Sequence, residues 1–175
     1  MQVFLIRHPV PAIAPGICYG QLDVPALEVE AAAAALRTQI DSRHPLFSSP
    51  LQRCRALAEA LHPAPRFDER LMEMHFGDWE GQAWEAIDRR ALDAWAADLL
   101  HHVPPGGESA AMLQSRTVAC LDAIAGEGHA ACVVVTHAGA IRAALGHARG
   151  LPAEEWSQLK FAYGACVSVQ WPGER

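Results

Sequence analysis

Val3-Phe4-Leu5-Ile6-Arg7-His8 is a short apolar run that ends abruptly in a cation and an imidazole. Four to six apolar residues of this kind read as a strand buried on both faces, as in a parallel sheet. Polar side chains at the carboxyl end of such a strand stand where open α/β sheets hold their ligands. We therefore read this strand end as the active site. Taken alone, the dipeptide Arg7-His8 fits better an arginine that caps a surface beside a packed histidine, so the rest of the chain has to decide.

A second strand of the same design lies far downstream. Ala131-Cys132-Val133-Val134-Val135-Thr136 is the most strongly β-branched stretch of the chain, and it also delivers a histidine at its end, His137-Ala138-Gly139. Between the two, Pro45-Leu46-Phe47-Ser48 reads as a strand and Ser49-Pro50 as the turn into a helix over Leu51 to Leu61, with Pro near the first helical position. That helix carries Arg53 and Arg55 in its first turns, where the helix dipole disfavours a cation unless an anion is also present. Arg66-Phe67-Asp68 reads as a short strand and Cys166 to Gln170 as the last one.

Helices alternate with these strands. Pro25 to Ile40 is helical in composition, with alanine dominant from Ala31. Trp84 to Leu100 has an amphipathic spacing that puts Trp84, Ile87, Ala91 and Trp95 near one face, and the His101-His102 pair reads as its carboxyl end rather than as metal ligands. Ser109 is a good amino cap for a helix to about Ala125, another spans Ala140 to His147, and a short one follows Pro152. The alternation predicts a three-layer α/β/α sandwich with a largely parallel central sheet and right-handed crossovers. No repeat or low-complexity linker divides the 175 residues, which form one expected domain, 1–175.

Composition narrows the function. The net charge of −6 argues against a general nucleic-acid binder. No apolar run of membrane-spanning length is present and the amino terminus lacks the pattern of a secretory signal, so a cytosolic protein without membrane partners is expected. Five scattered cysteines without CxxC spacing argue for reduced packing residues. Lys160 is the single lysine among fourteen basic residues, so an anion site would have to use arginine and histidine.

In a parallel sheet the carboxyl ends of the strands share one edge, so Arg7, His8, the Ser48–Arg53 turn and His137 can converge there. Such a cationic pocket is relieved by a dianion, and the planar fork of arginine suits a phosphate ester. Catalysis then needs a nucleophile. No GxSxG, Walker A or HExxH motif is present, whereas an unprotonated, oriented histidine can attack phosphorus. Leu71 to Gly81, dense in aromatic and acidic residues, offers a proton donor: Glu73, if Phe76 and Trp79 bury beside it, with Asp78 and Glu80 as rivals. Tyr19 and Gln21, in the turn-rich loop after the first strand, are candidates for substrate contact.

Four motifs in order, Arg7-His8, Ser48-Ser49-Pro50-Leu51-Gln52-Arg53, Leu71-Met72-Glu73 running into Gly77-Asp78-Trp79-Glu80-Gly81, and Thr136-His137-Ala138-Gly139, resemble the histidine phosphatase (phosphoglycerate mutase-like) superfamily. The short length, the Gly20-to-Pro25 loop and Pro105-Gly106-Gly107-Glu108-Ser109 look most like its α-ribazole phosphatase branch, of cobalamin synthesis. The resemblance implies a phosphoglycerate mutase-like fold and a phosphomonoesterase for a small phosphorylated metabolite, such as α-ribazole 5'-phosphate, needing no metal and no cofactor. It makes His8 the nucleophile that becomes phosphohistidine, Arg7, Arg53 and His137 the phosphoryl-binding groups, and Glu73 the acid that protonates the leaving alcohol and then activates water. A phosphoglycerate mutase-type transfer and a catalytically decayed phosphate-binding protein are the alternatives. The chain departs from the family at Pro9, in place of the usual Gly, at Pro11 and Ala14, in place of a Thr and an Asn, at Leu57, in place of Thr, and at Ala138, in place of Gly. Pro9 also removes a backbone donor.

Overall fold

The computed structural model describes residues 1–172. Five strands form one sheet: β1 (Gln2–Arg7), β2 (Leu46–Ser48), β3 (Arg66–Phe67), β4 (Ala131–Thr136) and β5 (Cys166–Gln170). Their spatial order is β3-β2-β4-β1-β5. β1, β2 and β4 are mutually parallel, β3 is parallel to β2, and β5 pairs antiparallel with β1, Ile6 opposite Cys166. The helices are α1 (Val29–Leu36), α2 (Gln52–Leu61), α3 (Arg89–Ala97), α4 (Ala110–Gly126), α5 (Ala138–Arg149) and α6 (Ala153–Trp156).

Strand side chains alternate between the two faces of the sheet. Val3, Leu5, Cys132 and Val134 pack against Cys120, Leu121 and Ile124 of α4 and Ile141, Ala144 and Leu145 of α5. Ile6, Val133 and Val135 pack on the other side against Leu36 of α1 and Cys54, Leu57 and Leu61 of α2. This is the expected three-layer α/β/α sandwich, and it explains why Val3 to Ile6 of β1 and Ala131 to Val135 of β4 are all apolar: both faces of these strands are covered. Leu57, where the family pattern has Thr, is fully buried in the second layer.

The register fixes the functional edge. Arg7 pairs with Thr136 and Ser48 with Val135, so β1, β2 and β4 end level. Pairing continues one residue further, as the amide of His8 donates to Thr136 O at 3.0 Å and that of Ser49 to Val135 O at 3.0 Å.

Two expected helices are shorter than their composition suggested. α1 starts only at Val29, because Ala26 bridges to Pro11 and Glu28 is left-handed with φ 55°. The segment from Trp84 begins as a single 3₁₀ turn, Trp84–Ala86, held by the Trp84 amide on Gly16 O at 2.9 Å, and the α-helix starts after Asp88, whose carboxylate accepts from the Ala91 amide at 3.0 Å. That helix ends at Ala97, so His101-His102 does not form its last turn; His101 Nδ1 lies 2.9 Å from the Asp98 carboxylate on the surface. Among the described residues no helix is long and apolar enough to cross a membrane.

Leu57→Ala should destabilise the fold by about 3 kcal/mol, since it opens a cavity between α2 and the sheet. Urea denaturation checks this, with an unchanged dependence on denaturant expected.

Candidate active site

The strand ends bring Arg7, His8, Ser49, Arg53 and His137 together. The rings of His8 and His137 lie 5.1 Å apart, and both are buried. Arg53 is fully buried at the start of α2, with Nη1 donating to Leu22 O at 2.9 Å and Nη2 to Gly20 O at 2.5 Å. Arg7 Nη1 donates to Phe161 O at 2.6 Å. Each guanidinium thus spends part of its fork on carbonyls that orient it. The buried Nε of Arg7 and of Arg53 has no partner among the described residues, which leaves donors available for an oxyanion. Arg55 does not join them: it lies over the Phe67 ring and 3.6 Å from Glu59. The anion expected at the start of α2 is supplied in part by Asp23, whose carboxylate accepts from the Gln52 amide at 2.7 Å.

The environment fixes the state of His8. Its Nδ1 lies 2.7 Å from Pro9 O. A carbonyl can only accept, so in the neutral ring Nδ1 carries the proton and Nε2 keeps the lone pair. Burial first, and then the Arg53 and Arg7 charges, push the His8 pKa down to about 3 despite the Pro9 carbonyl. His137 is likewise held well below its usual range by burial and by Arg53. Its Nε2 lies 2.8 Å from Ser49 Oγ and 3.4 Å from Cys54 Sγ. Pro9 costs the loop an amide, but its carbonyl does the orienting, and a proline carbonyl serves as well as any other.

Glu73 stands at the amino end of α5. Its Oε2 accepts from the Gly139 amide at 3.1 Å and its Oε1 from the Met74 amide at 2.9 Å. A Cβ on residue 139 would overlap Glu73 Oε1, so a larger residue there would push the carboxylate from this position. Of the rivals, Asp78 is exposed, and Glu80 Oε1 is occupied by the amides of Gln21 and Phe76 at 2.9 Å each. Phe76 lines the cleft beside Glu73, but Trp79 does not: it packs with Cys18 and Ile87 in a separate cluster, because the 3₁₀ turn Gly77–Trp79 rotates it away.

Of the loop candidates, Tyr19 lies with its ring 6.5 Å from that of His8 and 5.0 Å from the Arg53 guanidinium. Its hydroxyl meets that of Tyr163 at 3.4 Å, and the Tyr163 ring in turn stacks 3.8 Å from the Arg7 guanidinium. Gln21 points its amide at the Glu73 carbonyl, 3.0 Å away, and so braces the backbone at Glu73.

Sequence reasoning missed the residues that shape the Glu73 loop. Arg116 Nη1 donates to Arg70 O and Met72 O at 2.8 and 2.7 Å, and its Nη2 donates to Glu73 O at 2.8 Å. The same guanidinium pairs with Glu108 at 2.5 Å, and Glu108 accepts from the His75 amide at 2.9 Å. Thr136 Oγ1, at the end of β4, adds a bond to Leu71 O at 2.6 Å. The signal was available: Arg116 falls on the inward stripe of α4 with Leu113, Thr117 and Cys120, and a charge on such a stripe demands a partner. Tyr163 carried no comparable signal.

Among the described residues no three His, Cys, Asp or Glu side chains cluster closely enough to hold a metal ion, and all five cysteines are free. The model of the histidine phosphatase superfamily (branch 1) matches residues 3–175. The chain belongs to this superfamily. Relatives include glucosyl-3-phosphoglycerate phosphatase from Mycolicibacterium vanbaalenii, 32% identical over 170 residues that cover 87% of this chain and 73% of the relative. A phosphoglycerate mutase from Thermus thermophilus is 36% identical with a TM-score of 0.77, over 99% of this chain and 95% of that one. A mycobacterial glucosyl-3-phosphoglycerate phosphatase is 27% identical with a TM-score of 0.82, over 95% and 88%. The superfamily assignment makes phosphoester hydrolysis or phosphoryl transfer the chemistry of this histidine phosphatase homologue.

Arg116→Met should lower stability by about 3 kcal/mol, as it strands a largely buried Glu108. It should also slow turnover of an alkyl phosphate at least tenfold by loosening the Glu73 loop, with urea melts reading the first effect and steady-state hydrolysis of glycerol 3-phosphate the second. The unfolded chain takes up a proton at His8 near pH 6.5 while the folded one resists to about pH 3. Stability should therefore be full above pH 6.5 and fall steadily as pH drops toward 3, with nitrogen-15 spectra showing His8 still neutral at pH 5.

Proposed function

We propose that the protein is a phosphomonoesterase that hydrolyses a small phosphorylated metabolite through a phosphohistidine on His8. What carries this reading is the state of that imidazole: neutral, with Nδ1 tied to Pro9 O and Nε2 without a partner among the described residues, beside His137 and two arginines whose Nε likewise has none among them. His8 Nε2 attacks phosphorus, the bond from phosphorus to the ester oxygen breaks, and Glu73 gives its proton to the departing alcohol. Water then loses a proton to the Glu73 carboxylate as it attacks phosphorus, releasing His8 and inorganic phosphate. Arg7, Arg53 and His137 hold the phosphoryl oxygens as charge builds on them, the main source of acceleration in such transfers. The cations do the neutralising, so the proposal involves no metal or cofactor. A cytosolic setting is part of the reading, supported by the five unpaired cysteines.

The substrate is a small phosphate ester. α-Ribazole 5'-phosphate is included on the strength of the Gly20-to-Pro25 and Pro105–Ser109 loops. Transfer of the phosphoryl group back to bound product is the second reading, favoured by the likeness to the Thermus phosphoglycerate mutase.

Rapid quench with a labelled phosphomonoester should trap acid-labile phosphohistidine in the wild type and none in His8→Ala; intact turnover in that variant would overturn the nucleophile. Glu73→Gln should slow hydrolysis of an alkyl phosphate by about 100-fold, within the range for a lost general acid, and that of p-nitrophenyl phosphate far less, since nitrophenolate leaves unaided. Incubation with a phosphoglycerate separates the two readings, with free phosphate expected and dominant isomer formation rejecting the hydrolase.

A further inference from the structure

Two loops far apart in the chain hold the two phosphoryl arginines in the same way. Arg53 donates to Gly20 O and Leu22 O, and the ring of Tyr19, from that same loop, stands 5.0 Å from its guanidinium. Arg7 donates to Phe161 O, and the ring of Tyr163, two residues further on, lies 3.8 Å from its guanidinium. In each case backbone carbonyls take some of the donors and an aromatic face covers the cation, while the buried Nε has no partner among the described residues. A guanidinium held against an aromatic face is attracted by the ring quadrupole, and more strongly away from water.

Both loops are anchored on either side of their tyrosine. The Cys18 amide donates to Gln82 O at 2.8 Å, and the Gln21 amide to Glu80 at 2.9 Å. The Gly164 amide lies 3.2 Å from both Arg7 O and His8 O, and the Arg7 amide donates to Ala165 O at 3.0 Å. From these fixed bases the two side chains reach toward each other and their hydroxyls meet at 3.4 Å. The rings flank His8, Tyr19 at 6.5 Å and Tyr163 at 5.6 Å from the imidazole. A separation of 3.4 Å is long for two hydroxyls, which bond best at about 2.7–2.8 Å, so the contact is slack. Tyr163 is also 40% exposed, which leaves it room to move.

We propose that Tyr19 and Tyr163 are positioning residues that form one bracket around the phosphoryl site, slack in the free protein and drawn tight by the phosphoryl group. The inference rests on the phosphomonoesterase reading and concerns how that same site sets its two arginines. Arg7 and Arg53 repel each other until a dianion lies between them, and both are then pulled toward it. Each guanidinium carries its ring along, so the hydroxyls close to bonding distance. The tyrosine bond thus adds little to the stability of the free protein. It is realised fully in the transition state, when both arginines hold the charge that builds on the phosphoryl oxygens. In this role the tyrosines act through Arg7 and Arg53, and neither needs to touch the reacting atoms.

The test is a double-mutant cycle over Tyr19→Phe, Tyr163→Phe and the variant with both changes, which keeps the rings and removes the hydroxyl contact. Four quantities are read in each: kcat for p-nitrophenyl phosphate, inhibition by vanadate, inhibition by inorganic phosphate, and the melting temperature of the free protein. Vanadate adopts the five-coordinate geometry of the transition state, whereas inorganic phosphate resembles the product. Each single change should lower kcat and weaken vanadate by about fivefold, as for one lost hydrogen bond, and the double change should cost no more than either alone. Inhibition by phosphate should weaken far less, and the melting temperature should not move. Tyr163→Leu, which also uncovers Arg7, should lower kcat by about another tenfold. Losses that add in the double variant overturn the bracket, as do equal weakening of vanadate and phosphate, coupling seen only in the melting temperature, and unchanged kcat and vanadate inhibition throughout. The two phenylalanine variants decide this even if Tyr163→Leu fails to fold. In all these outcomes the wild type still hydrolyses p-nitrophenyl phosphate, so the phosphomonoesterase reading stands. Absence of hydrolysis of any ester by the wild type, with no phosphohistidine trapped, overturns that reading and this inference with it.

Discussion

Two guanidinium groups and two imidazoles share one rim of the sheet, and the site depends on how their mutual repulsion is managed. The arginines stay charged, so the imidazoles give up their protons: burial and the Arg53 charge hold both His8 and His137 neutral. The same physics that removes the proton from His8 leaves it a lone pair. Burial and repulsion among the cations thus also prepare His8 for its proposed role as nucleophile, and an arriving phosphoryl dianion would relieve the repulsion as it engages that lone pair.

The scaffold makes this possible because β1 and β4 are parallel, adjacent and covered on both faces. Their side chains are determined by packing, and that is why these strands were legible: a residue buried on either face has to be apolar, and the first polar side chains mark where the sheet ends. The convergence of Arg7, His8, Arg53 and His137 followed from the same rule, since parallel strands put all their carboxyl ends on one edge. The helices were less legible where a competing local interaction decided their limits. Pro25 to Glu28 has helical neighbours but is drawn into a bridge with the loop at Pro11. Trp84 has helical spacing but its ring serves an aromatic cluster with Phe76 and Trp95.

The proposed acid is a different case. Glu73 lies in a loop, and nothing periodic in the sequence distinguishes it from Asp78 or Glu80. Its placement is set from outside the segment by Gly139, whose missing side chain gives it room, and by Arg116, which gathers three carbonyls and Glu108 around one guanidinium. Long-range polar networks of this kind leave only an indirect trace in a single sequence, here a charge on the inward stripe of α4. The pairing of Tyr19 with Tyr163 left none, because their meeting depends on two loops far apart in the chain.

The reversed direction of β5 has a geometric consequence of its own. A strand parallel to β1 would begin at the far rim, and the residues leading into it would lie a strand length away from Arg7. Because β5 runs the other way, it begins beside the end of β1, with Cys166 opposite Ile6. The chain entering it passes over the cationic rim, bringing the Phe161 carbonyl and the Tyr163 ring to Arg7. One antiparallel strand at the border of the sheet thus lets the last part of the polypeptide close around chemistry that begins in its first eight residues.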